Sequence, residues 1–198
     1  VKLHILIPAA GASSRMRGRD KLTEDVDGRP LLRKQAQMAQ SVSGNVTVAL
    51  PDPAHPYYAA RKASLDGLQV TSAQYPASRE GLGGTVSAHV GTLPSDATHL
   101  MVLLPDLVGL TADDLRKTLA AVTDVPCRAA GQDGTPGHPV VFPASVFDDL
   151  AGCDSGDEGP RVVLRAHGYA LVPLDNDHAV TDLDTPEDWA AWRAAQQS

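Results

Sequence analysis

The sequence predicts an α/β fold in three layers: a mostly parallel sheet with helices on both faces. Three observations carry this. Short runs rich in Val, Ile and Leu recur along the first 124 residues, and each is bounded by Gly, Pro or Asp. Between them lie segments whose apolar residues return at helical spacing. The two patterns alternate, which is the signature of strands joined by crossover helices.

In chain order, strands are expected at "LHILIP" near the N-terminus, "NVTVAL" (Asn45 to Leu50), "LQVTSAQ" (Leu68 to Gln74) and "HLMVLLPD" (His99 to Asp106). Helices are expected in "PLLRKQAQMAQSV", with Pro30 in the first turn, in "HPYYAARKASL" and in "GTVSAHVGTL". A further helix is expected in "TADDLRKTLAAVT", where Thr111 caps and Asp113 and Asp114 meet the positive end of the dipole. After about Asp124 the regularity weakens as Gly and Pro multiply. "CRAAGQDGTPGHPVVFP" reads as two strands around a turn-rich loop. "PASVFDDLAG" and "GPRVVLRAHG" read as short helices, "YALVPL" as a strand, and "TPEDWAAWRAAQQ" as a closing helix begun by Thr185 and Pro186. With no repeat, linker or low-complexity tract, residues 1–198 are expected to form a single domain.

Composition narrows the function classes. A formal net charge of -7 lacks the broad basic surface that non-specific nucleic-acid binding needs. Two cysteines, Cys127 and Cys153, form no CxxC pair, so neither a disulfide framework nor a zinc site is expected. The opening segment is too short and too soon interrupted for a signal peptide or membrane span. The expected setting is the cytoplasm, with no membrane or nucleic-acid partner.

The most informative stretch is "ILIPAAGASSRMRGRDKL" (Ile5 to Leu22). An apolar strand leads into small residues, then into Arg15, Arg17, Arg19 and Lys21. Small residues let backbone amides approach a ligand, and the cations select an anion, with polyphosphate the natural candidate. Neither GxxxxGK[ST] nor GxGxxG occurs here. In open sheets, ligands bind beyond the carboxyl ends of the strands. This loop and Asp106, at the end of "MVLLPD", both belong there.

"PAAGASSRMRGRDKL…DGRPLLR" resembles the signature loop of the molybdenum cofactor nucleotidyltransferases, within the GT-A-like NTP transferases, whose Rossmann-like fold is then implied. Further matches, in order, are "EGLGGTV", "LLPDLVGLT", "GTPGHPVVFP", "GDEGPR" and "DLDTPEDW". Ala9-Ala10-Gly11, with Gly137-His138-Pro139, is more similar to the cytidylyltransferase branch than to the guanylyltransferase branch. The sequence departs from the pattern at Pro8, at the inserted Arg17, at Thr85 and at Val108.

The resemblance implies transfer of a nucleoside monophosphate from an NTP, CTP preferred, to the phosphate of molybdenum-molybdopterin, with release of pyrophosphate. A guanylyltransferase and a cytidylyltransferase of sugar or polyol phosphates such as methylerythritol phosphate are the alternatives in the same class. A non-catalytic nucleotide- or cofactor-binding protein is the alternative in another. The nucleotide half is then about residues 1–124 and the acceptor half about 125–198. Because the nucleophile is already an anion, catalysis reduces to positioning and charge neutralisation. Ala9, Ala10, Gly11 and Ala12 are expected to line the nucleotide, with Lys21 and Arg15 as its charged partners. Arg17 and Arg19 are read as solvated. Mg²⁺, with Mn²⁺ as a substitute, asks for one or two carboxylates. Asp106 fits by its place at a strand end. Asp184, with Asp182 as the alternative, follows from the resemblance. Gly81, Gly83, Gly84 and Thr85 are expected near the base, with Thr85 capping the next helix. His138, Asp157 and Arg161 are expected on the acceptor side. Transient contact with a recipient molybdoenzyme follows from the same resemblance.

Overall fold

The computed structural model describes residues 1–153 and 158–196. Seven strands build one sheet in the order β5-β4-β1-β6-β8-β7-β9. They are β1 (Leu3–Pro8), β4 (Asn45–Leu50), β5 (Thr71–Gln74), β6 (His99–Val102), β7 (Cys127–Ala130), β8 (Pro136–Pro143) and β9 (Ala170–Pro173). Strand β8 runs antiparallel to both of its neighbours, and the other pairings are parallel. The helices are α1 (Leu31–Gln40), α2 (Tyr58–Ala63), α3 (Leu82–Val90), α4 (Ala112–Ala120), α5 (Phe147–Ala151), α6 (Gly159–His167) and α7 (Pro186–Ala195).

Side chains alternate across a strand, so each strand feeds both faces. Ile5, Ile7, Val46, Val48, Met101 and Val141 pack with Leu32 of α1, Leu115 of α4 and Trp189 of α7. Leu6, Ala49, Leu100, Val102, Val140 and Phe142 pack with Val86 of α3, Leu150 of α5 and Leu164 of α6. The result is the expected α/β sandwich with apolar strands covered on both sides. No helix among the described residues is long and apolar enough to cross a membrane.

The chain moves outward from β1 to β4 and β5, then returns to place β6 on the other side of β1. That reversal opens a crevice at the carboxyl ends of β1 and β6, where an open sheet binds ligands.

Three details differ from the sequence reading. Helix α3 begins at Leu82, two residues earlier than expected, and absorbs Gly83 and Gly84. The strand expected over Leu68 to Gln74 starts only at Thr71. A two-residue hairpin, β2 (Asp25–Val26) with β3 (Arg29–Pro30), precedes α1 and places Pro30 before the helix rather than in it. Its turn is Asp27-Gly28, both at positive φ (54° and 78°), the geometry that matches the twist of paired strands.

Candidate active site

The segment from Pro8 to Lys21 is held at both ends while its middle stays open. At the entry, the Ala9 amide donates to the Ala49 carbonyl (2.8 Å). At the exit, Met16 is wholly buried within a single 3₁₀ turn, and Leu22 is buried in the next turn. These apolar anchors pull a cationic rim against the core. Asp20 caps the second turn by accepting from the Leu22 amide (3.2 Å). Among the described residues, the amides of Ala10 through Ser14 have no backbone acceptor. Ser13 sits in the left-handed region (φ 50°) and Ser14 begins the first 3₁₀ turn, so successive amides form a concave nest suited to an anion.

The crevice above this loop is a cleft of about 470 Å³. Ala10, Gly11, Ala12, Arg15 and Lys21 form one wall, and Gly81, Thr85, Asp106 and Asp184 contribute to the other. Lys21 Nζ donates to Asp106 Oδ2 at 2.7 Å and to Asp184 Oδ1 at 2.6 Å. Arg15 Nη2 reaches Asp184 Oδ2 at 2.6 Å. Burial alone would lower the Lys21 pKa, but the paired carboxylates, Asp106 foremost, outweigh it and raise the ammonium above its usual value. Lys21 is therefore a fixed cation.

Asp106, Asp182 and Asp184 each bring a carboxylate oxygen within 4.8 Å of the others. Three carboxylates face two cations, so the cluster stays acidic. Burial, then Asp184 and Asp106, push the Asp182 pKa up. Asp106 Oδ1 is buried without a hydrogen-bond partner, a costly arrangement that a bound cation or ligand relieves. Donor type, spacing and this orphaned oxygen all fit a hard divalent ion. Asp182 joins Asp184 here, so the two alternatives from the sequence stand side by side.

Elements explain the delivery. Asp106 follows β6, whose buried Leu100, Met101 and Val102 carry it to the rim. Asp184 immediately precedes Thr185, the N-cap of α7 in a complete capping box with Asp188. The Asp184 amide also bonds to Asp188 Oδ2 (3.2 Å). Its carboxylate is thus positioned by a helix start.

Some expected residues are elsewhere. Ala9 is fully buried and both of its backbone polar groups have protein partners, so it does not line the cleft. Gly83 and Gly84 lie inside α3; a Cβ on Gly84 would stand 2.1 Å from the Ala77 carbonyl oxygen. The small size of Gly84 thus serves packing within the protein, and neither glycine lines the cleft. Thr85 is also within α3, and its hydroxyl bonds to Ser78 Oγ (2.9 Å) and to the Gly81 carbonyl (3.2 Å) instead of capping the helix. Arg17 and Arg19 point away, to Glu187 and Glu24.

His138 stands in β8, not in a loop, with Nδ1 buried and unpartnered. Burial, then Arg128, lowers its pKa to about 4, so the ring is neutral near pH 7. With Arg128 and Arg161 it lines a second cavity of about 230 Å³, which shares Leu82 and Leu104 with the main cleft. Arg161 pairs with Glu158 (3.2 Å). Asp157 lies outside the described residues. The sequence reading passed over Arg61 and Asp20, which form a fully covered ion pair beneath the loop (2.8 Å). The stretch "HPYYAARKASL" reads as a helix, and no spacing signal marks Arg61 as buried.

Known proteins share this architecture. A curated molybdenum cofactor guanylyltransferase of Cereibacter sphaeroides is 29% identical over 194 residues, covering 96% of this chain and 95% of that protein. A Mycobacterium sp. strain JC1 homologue of a Mycobacterium tuberculosis protein superposes with a TM-score of 0.78 at 22% identity, covering 98% and 96% of the two chains. A manganese complex of the Mycobacterium tuberculosis H37Rv protein superposes at 0.75 with 19% identity, covering 96% and 97%. The MobA-like NTP transferase domain model matches residues 5–171, which hold most of the sheet, the loop from Pro8 to Lys21 and Asp106 but end before Asp182 and Asp184, and the chain belongs to that family.

Proposed function

We propose that this nucleotidyltransferase moves a nucleoside monophosphate, from CTP by preference, to the phosphate of molybdenum-molybdopterin. The observation that carries the reading is the meeting of Lys21, Asp106 and Asp184 on one cleft at the sheet's reversal point. An acceptor phosphate oxygen attacks the α-phosphorus and forms a new P–O bond. The bond between the α-phosphorus and the bridging oxygen breaks, and pyrophosphate leaves with the electron pair. No general base is required, since the nucleophile is already ionised.

The chain's own residues hold the two anions together. Amides of Ala10, Gly11 and Ala12 cradle the triphosphate, Arg15 grips its oxygens, and Lys21 offsets charge on the reacting phosphates. Asp106 and Asp184, with Asp182 beside them, would hold Mg²⁺ or Mn²⁺; such an ion neutralises phosphate charge as it develops. The manganese complex of the structural relative supports this choice. Gly81 and Thr85 sit toward the base. His138 and Arg161, with Arg128, face the acceptor from the second cavity. Residues 1–198 act as one catalytic unit, in the cytoplasm, delivering product to a molybdoenzyme.

A GTP-using version has one specific support, the guanylyltransferase activity named for the curated relative. The Ala-Ala-Gly loop favours CTP. Pyrophosphate release measured with each of four NTPs, with and without molybdenum cofactor, separates the two. The expected kcat/KM for CTP exceeds that for GTP by about tenfold or more. A reversed ranking removes the cytidylyl assignment, and release independent of the cofactor removes the acceptor.

A further inference from the structure

Arg61 is a fully buried arginine on α2, outside the family motifs quoted above, and its guanidinium is saturated. Nε and Nη2 donate to the two oxygens of Asp20 at 2.9 and 2.8 Å. Nη1 donates to the Ala9 and Gly11 carbonyls, each at 2.7 Å, and Nη2 also reaches Ser13 Oγ at 3.2 Å. A guanidinium has five N–H donors, and all five are used. Tyr57 covers its face at 5.4 Å. Asp20 is nearly as buried and also holds the Ser13 hydroxyl (3.1 Å).

A trans peptide points its carbonyl and the next residue's N–H in opposite directions. The peptides of this loop are trans. Arg61 draws the Ala9 and Gly11 carbonyls down into the protein, so the amides of Ala10 and Ala12 point up. Ala10 and Ala12 line the cleft. Without Arg61, those carbonyls would be free to turn their negative ends toward a triphosphate. The ion pair with Asp20 cancels the charge of Arg61, so it contributes orientation and no net attraction.

We infer that Arg61 is the positioning residue of the phosphate loop: its guanidinium, braced by Asp20, presets the Ala10 and Ala12 amides to receive the triphosphate of the nucleotide. This rests on the nucleotidyltransferase reading and adds to it a role for a residue that does not touch substrate. Lysine cannot replace it, since one ammonium cannot hold a bidentate carboxylate and two divergent carbonyls together.

The test compares wild type, Arg61→Lys and Asp20→Asn for binding of inorganic triphosphate by calorimetry and of cytidine by NMR titration. Arg61→Lys is expected to weaken triphosphate about tenfold, leave cytidine within about twofold, and lower kcat/KM chiefly through KM. Equal triphosphate affinity in Arg61→Lys and wild type overturns the inference, as does a parallel loss of both ligands. Should Arg61→Lys not fold, Asp20→Asn decides: a roughly threefold loss confined to triphosphate supports the role, and no loss or a parallel one refutes it. A wild-type protein that binds neither CTP nor triphosphate removes the nucleotide reading itself, and the Arg61 role with it.

Discussion

Lys21 forms part of two carboxylate pairs that are separated from it by 85 and 163 positions in the chain. Held at 17% side-chain exposure, it cannot wander as a surface lysine does. Replacing it with alanine is expected to cost about 2 kcal/mol or more of transition-state stabilisation, roughly a 30-fold fall in kcat, read as pyrophosphate release. Near-normal turnover would exclude the role proposed for it. Asp106 and Asp184 supply the opposite charge. Asp106→Asn or Asp184→Asn should abolish both Mn²⁺ binding, followed by calorimetry, and metal-dependent release of pyrophosphate. Full Mn²⁺ affinity in either variant would strike that residue from the metal site. At this scale Lys21 and Asp106 were legible in sequence: one closes a cationic loop, and an apolar strand delivers the other. Arg61 was not, because burial of a cation depends on a partner, and Asp20 is 41 residues away.

At the scale of elements, glycine spacing proved ambiguous. "GLGG" reads equally well as a turn near a ligand and as a helix start packed against backbone. Gly81, at φ 98°, turns the chain at the cleft, and Gly84 packs inside the helix start against the Ala77 carbonyl. Gly84→Ala is expected to destabilise the protein by about 2 kcal/mol, measured by urea unfolding, as α3 shifts away from the preceding turn. Since Ser78 and Gly81 line the cleft beside that contact, KM for the nucleotide should rise as well. An unchanged unfolding midpoint would mean that the turn yields easily. By contrast, the helix starts at Thr111 and Thr185 were readable in advance. Both form complete capping boxes, whose determinants lie within four consecutive residues. The Asp27-Gly28 hairpin carries an equally local signal, but its two-residue strands are too short to show an alternating pattern.

For the whole molecule, the buried His89 and the half-buried His138 both contribute to the response to acid. His89, on α3, is 3% exposed, and its Nδ1 meets the Tyr75 hydroxyl (2.9 Å). Burial, with a smaller contribution from His4, lowers its pKa from 6.5 to about 4. The folded state thus holds His89 neutral while the unfolded chain protonates it below pH 6.5. Stability is fully present above that pH and is lost as the pH falls toward 4, by on the order of 3 kcal/mol for this residue. His138, lowered to the same value, adds to the same limb. Denaturant titrations between pH 7 and 4 should show this fall, and His89→Asn should flatten it. An identical slope in the variant would contradict the assignment.

From its residues alone, the chain determined the layers and most element positions, since strand and helix periods and caps are written in consecutive side chains. It also located the cationic loop and the strand-end carboxylate. Only the tertiary structure decided which charges meet, which glycines line the cleft, and that an arginine lies buried beneath the loop. Those outcomes depend on distances between segments remote in sequence, and burial reverses the ordinary preference of a charged group once its partner is in place.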